Sequence, residues 1–161
     1  MRATTILLAI SLALAAGTTS VWAKAIPSAG ITRDEMAAYL VSKGYPATPA
    51  FESGNNHRIL KTTIDGVNID IYFLDCKTDD AGRCASVQFA ASWGVSSPDL
   101  DKVNAWNRQK RFMRAYLTES QKTLWAEYDM FLAPNGSTEL MDNNLSMMKS
   151  LFRSLKQHFD F

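Results

Sequence analysis

Few side chains in this sequence could carry covalent or acid–base chemistry, and their spacing limits what they can do. The two cysteines, Cys76 and Cys84, are separated by Lys-Thr-Asp-Asp-Ala-Gly-Arg. That is not the C-x-x-C of a thiol–disulfide oxidoreductase. A structural zinc site would want four ligands, and the two histidines, His57 and His158, lie far off in sequence. Many serines are present, but none sits in G-x-S-x-G. Asp79-Asp80 lacks the glycine and closing glutamate of an EF-hand loop, and neither a Walker A motif nor a dinucleotide fingerprint occurs. The reading is therefore no cofactor, no metal and no enzyme. The alternative is a hydrolase whose titratable groups are His57, Asp70 and Asp75 near one hairpin.

The chemistry open to the cysteines depends on compartment. Met1-Arg2 is a short positive start, Ile6 to Ala16 is apolar, and Val21-Trp22-Ala23 places small or branched residues at a cleavage position. This is the layout of a secretory signal peptide over residues 1–23. The apolar run is shorter than the roughly 20 residues a spanning helix needs. Cleavage after Ala25 is the alternative, since Ala23-Lys24-Ala25 also fits. No cysteine follows the apolar run to take a lipid anchor. An exported chain reaches a periplasmic or extracellular space where disulfides persist. Cys76 and Cys84, at the ends of a polar loop between strand-like runs, are thus expected to be bridged rather than free. Such a loop is worth roughly 2–3 kcal/mol in the chain-entropy view.

The remaining 24–161 suits one domain. The whole chain carries 17 Lys and Arg against 16 Asp and Glu. The signs are interspersed, so no basic run exists to hold nucleic acid or an anionic membrane. No later apolar stretch is long enough to span a bilayer.

Thr32 with Glu35 three residues on makes a capping box, and Met36, Ala37, Leu40 and Val41 follow at helical spacing. Gly44 ends that helix, and residues 45–55 read as a loop. Residues 57–64 and Val67 to Asp75 read as strands about an Asp65-Gly66 turn. A third strand spans Ala85 to Trp93, giving a meander with one core face and one more polar face. Ser97-Pro98-Asp99 signals a helix start with Ser97 as cap, and Leu100, Val103 and Trp106 mark its buried side. Residues 111–118 either continue that helix or form a strand, and we favour the strand. Leu124 to Leu132 is another strand. Ser137 caps a last helix whose stripe is Met141, Leu145, Met148, Phe152, Leu155 and Phe159. The expected fold is α+β, an antiparallel sheet of about five strands with helices packed against it, in the order α-β-β-β-α-β-β-α.

Val103-Asn104-Ala105-Trp106-Asn107 sets two asparagines beside a tryptophan in mid-helix, where asparagine is a poor helix former. The plain expectation is that Asn104 and Asn107 tie the helix to a neighbouring strand or loop; the functional one is a polar binding spot. This stretch, with Arg111-Phe112 and Arg114-Ala115-Tyr116-Leu117 and with Cys76 and Gly82-Arg83-Cys84 through Phe89, resembles the YbjN family over most of 32–160. Members are described as sensory transduction regulators with a fold similar to type III secretion chaperones. The resemblance implies a strand over 111–118 and supplies no catalytic residues. Asn104, Trp106, Asn107, Arg111 and Tyr116 are the structural or binding candidates. The resulting expectation is an exported, non-enzymatic binding or chaperone-like regulatory module whose partner is an unidentified protein or a second copy in a homodimer. An envelope structural or stress protein is a further alternative.

Overall fold

The computed structural model describes residues 24–51, 58–78 and 82–161. The signal-like segment 1–23, His57 and Asp79-Asp80 lie outside the described residues. The elements are α1 (Arg33–Ser42), β1 (Thr48–Phe51), β2 (Arg58–Ile64), β3 (Val67–Cys76), β4 (Cys84–Gly94), α2 (Leu100–Gln109), β5 (Met113–Leu117), β6 (Thr123–Phe131) and α3 (Thr138–Phe159). The strands form one antiparallel sheet in the order β1-β2-β3-β4-β6-β5. The α+β class and the segregation of helices from sheet agree with the sequence. The strand count is six rather than five, because β1 lies within the 45–55 segment read as loop. It is four residues long, contains Pro49 and is mostly exposed. Its strand character comes from pairing with β2, not from an apolar alternation of its own.

Residue chemistry explains the local structure. Thr32 Oγ1 accepts from Glu35 N at 3.2 Å and Glu35 Oε2 accepts from Thr32 N at 3.0 Å, so the capping box forms reciprocally. Asp65 (φ 50°) and Gly66 (φ 76°) are both left-handed, as the tight turn joining β2 to β3 demands. α2 begins two residues later than expected. Its cap is Asp99, whose Oδ1 accepts from Lys102 N at 2.9 Å, rather than Ser97. Ser97 and Asp99 are equivalent acceptors by type, and the position of the first turn decides between them. Leu100 then falls at the exposed start of the helix, not on its buried side. Val41 likewise points to solvent at 61% exposure, so the buried stripe of α1 narrows to Met36 and Leu40.

One face of the sheet carries the core. Leu60, Ile64, Val67, Ile69, Ile71, Val87, Phe89, Ala91, Leu124, Ala126, Tyr128 and Met130 join the buried residues of all three helices in one cluster. The strands alternate as a half-buried antiparallel sheet must. α3 contributes Met141, Leu145, Met148, Phe152 and Leu155. The segment before α1 is laced onto the body. Ile26 N donates to Gly136 O at 2.8 Å, Thr138 N to Lys24 O at 2.9 Å, and Ile31 exchanges backbone hydrogen bonds with Cys84. Gly30 (φ +100°) lies so close that a Cβ there would stand 1.9 Å from the Cys84 carbonyl oxygen. Among the described residues, no helix is long and apolar enough to cross a membrane.

Candidate binding face

Cys76 and Cys84 are cross-strand partners at the end of β3 and β4, with Cα atoms 3.8 Å apart, and they are joined in a disulfide. Beside the bridge, Arg83 reaches α1. Its guanidinium donates to both Glu35 carboxylate oxygens, at 2.7 and 2.8 Å, and to Gly30 O at 2.9 Å. The disulfide loop thereby holds the start of α1. The hydrogen bond from Arg83 is the main reason the Glu35 carboxyl sits below its ordinary pKa.

The asparagine–tryptophan stretch works on the far edge of the sheet. Asn107 Oδ1 accepts from Ala115 N at 3.0 Å and its Nδ2 donates to Ala115 O at 2.9 Å. Trp106, fully buried, donates from Nε1 to Met113 O at 3.2 Å. Asn107 thus answers β5 as a neighbouring strand would. Asn104 is exposed and makes no comparable bond among the described residues. Arg111 is exposed too, its guanidinium 4.8 Å from the Phe112 ring centre. His158 contacts the Lys102 carbonyl at 2.9 Å and packs edge-on against Phe159.

Tyr116, the last candidate, projects onto the other face of the sheet, the one without helices. Its hydroxyl donates to Glu127 Oε1 at 2.7 Å, and Arg114 Nε donates to Glu127 Oε2 at 2.6 Å. Burial and the bond to Glu127 push the Tyr116 hydroxyl up to about 12. The same carboxylate raises the Arg114 pKa. Glu127 is itself buried, so its charge is met on both oxygens, as a buried carboxylate requires.

Cross-strand register fixes the rest of this open face. Ile59, Tyr72, Gln88 and Asp129 form one row, and Leu74, Ser86 and Phe131 the next. Gln88 Nε2 donates to Asp129 Oδ1 at 2.9 Å, and Ser86 Oγ to Asp75 Oδ2 at 2.7 Å. Lys61 pairs with Asp70 at 3.0 Å. Asp70 and Asp75 are five residues apart on β3, roughly 16 Å along an extended strand, so they do not converge as an acid–base pair. Phe131 is 70% exposed, and Leu74 and Tyr116 are each 39% exposed. Sequence reading foresaw a more polar second face here. It missed Glu127, Asp129 and Phe131, although their alternation with Ala126, Tyr128 and Met130 was the available signal.

This arrangement, one open antiparallel sheet with the three described helices packed on a single side, is an α+β fold. A sequence model of the YbjN family, described as "Putative bacterial sensory transduction regulator", matches residues 32–161, and the chain belongs to that family. The crystal structure of YbjN from E. coli, described as "a putative transcription regulator", is similar in fold. Its TM-score is 0.50 at 15% identity, over 78% of this chain and 91% of that one. No curated protein sequence matches the chain significantly.

Proposed function

We propose that this protein is an exported, non-enzymatic regulatory module of the bacterial envelope that holds a protein partner on the open face of its sheet. The observation that carries the reading is the exposure of Phe131, Leu74 and Tyr116 on the face without helices. Leu74 and Phe131 flank Ser86 in one cross-strand row, and Tyr116 stands further along the same face opposite Trp125. Exposed apolar side chains among polar groups on one surface support an interaction site. The regulator description of the family supports a binding role over turnover. The signal-like residues 1–23 support export.

The test is a photo-crosslinking residue placed at position 131 in intact cells, with a matching one at the exposed position 41 on α1 as control. Adducts at 131 and not at 41, recovered from the periplasmic fraction with the mature N-terminus at Lys24 or Ile26, are the expected result. Equal labelling at both positions overturns the binding face, and a full-length chain confined to the cytoplasm overturns export.

A further inference from the structure

Both edges of the sheet are blunted against strand addition among the described residues, which directs a partner toward the face rather than the ladder. Asn107 occupies the outward backbone groups of Ala115 on β5. At the other edge, β1 is only four residues long and carries Pro49, which has no N–H to offer. This is how proteins blunt exposed strands.

The open face also has a charge bias. Among the described residues, the carboxylates Asp70, Asp75, Glu127 and Asp129 stand on it with the cations Lys61 and Arg114, which are paired to Asp70 and to Glu127. Asp75 and Asp129 form no ion pair among the described residues. Each is held by a neutral donor instead, Ser86 Oγ and Gln88 Nε2. Lys110 lines the neighbouring cleft with Asp129, but its ammonium rests over the Trp106 ring at 5.7 Å. Ser86 and Gln88 are two residues apart on β4, about 7 Å along the strand, so they present the two carboxylates side by side. Leu74 and Phe131 flank this spot in the row across Ser86.

We infer that this corner of the open face docks a basic segment of a partner protein, placing lysine or arginine side chains against Asp75 and Asp129 and apolar side chains against Leu74 and Phe131. The inference rests on the binding-module reading above and names the chemistry of its partner. Neutral hydrogen bonds orient the two carboxylates; Arg114, bridged to Glu127, acts on Asp129 through space without forming an ion pair with it, so an incoming cation meets preorganised acceptors. The apolar pair supplies area that is removed from water on contact.

The probe is a short alternating lysine–leucine peptide, with its glutamate–leucine twin, titrated against the mature protein by fluorescence anisotropy and by amide chemical shifts. The lysine peptide is expected to bind at least tenfold more tightly than its twin, to weaken as salt rises, and to shift amides of β3, β4 and β6. Asp129→Lys is expected to weaken it tenfold or more, Asp129→Asn less, and Phe131→Ser severalfold, while Val41→Ser leaves it unchanged. All these positions are exposed, and circular dichroism checks that each variant is folded. Equal binding of the two peptides, shifts confined to another surface, or an unaltered Asp129→Lys variant overturns the inference. So does concentration-dependent dimerisation that Phe131→Ser abolishes, which would make the occupant a second copy. If position 131 crosslinks in cells to partners without basic segments, this inference fails and the binding-module reading stands. If position 131 gives no adduct at all, the reading itself fails.

Discussion

The carboxamide of Asn107 pairs with both backbone groups of Ala115, at 3.0 and 2.9 Å, so a helix side chain completes the ladder at the sheet's last strand. Removing it strips the edge of two hydrogen bonds and leaves groups that water reaches only partly. Asn107→Ala is expected to cost about 1–3 kcal/mol and to raise aggregation by freeing the strand edge. Asn104→Ala, on the exposed side of the same helix, should stay within about 0.5 kcal/mol of wild type. Urea unfolding of the two variants side by side checks this; equal losses would show that the asparagines act by helix propensity alone.

Oxidation state is the second expectation. The bridge between Cys76 and Cys84 closes a short loop, worth about 2.5 kcal/mol in the chain-entropy account. Intact mass of the purified protein should rise by two hydrogens on reduction. Cys76→Ser with Cys84→Ser should lower the thermal midpoint to that of the reduced wild type. A mass unchanged by reductant would mean that the thiols are free.

A third expectation concerns acid. Glu35 has its pKa lowered from 4.5, first by the hydrogen bond from Arg83, and Asp142 is lowered from 3.8, first by the hydrogen bond from Lys43. A depressed carboxyl stabilises the fold above its unfolded pKa. That contribution is lost as pH falls through the folded value, from about pH 5 downwards. Glu35→Gln should therefore flatten the acid limb of stability against pH while changing little near neutrality beyond the loss of the pair. An acid limb as steep as wild type would remove Glu35 from the account.

At the alkaline end, Tyr116 is held protonated up to about 12, by burial and by its bond to Glu127. A raised folded pKa adds stability that is whole below the ordinary value of 10 and fades between there and 12. Tyr116→Phe should lose that alkaline fade. Spectroscopic titration should show one fewer late-ionising tyrosine.

The sequence displayed whatever depends on near neighbours. Thr32 and Glu35 cap one helix as their spacing implies, Asp65-Gly66 makes its turn, and the stripe from Met141 to Leu155 faces the core. What depends on strand order stayed hidden. Asn107 is an edge cap only because β5 lies outermost, beyond β6, and nothing local to residues 103–107 encodes that order. β1 escaped notice because Thr48 to Phe51 has no buried alternation and borrows its conformation from β2. The open face was legible as a more polar side. Its acidic corner was not, since Asp75 and Asp129 come together only through β4, with 53 residues of chain between them.

The lacing of residues 24–31 has a consequence for the order in which the protein assembles. Lys24 N reaches Thr138 Oγ1 across a sequence separation of 114, and Ile31 waits for Cys84. A chain emerging from its N-terminus presents this segment well before its partners at Cys84 and Gly136–Thr138. Contacts of such long range form slowly, because the loop they close must be ordered before they return any free energy. The contacts of residues 24–26 therefore cannot close until the chain through Thr138 is available, whereas Ile31 needs only β4.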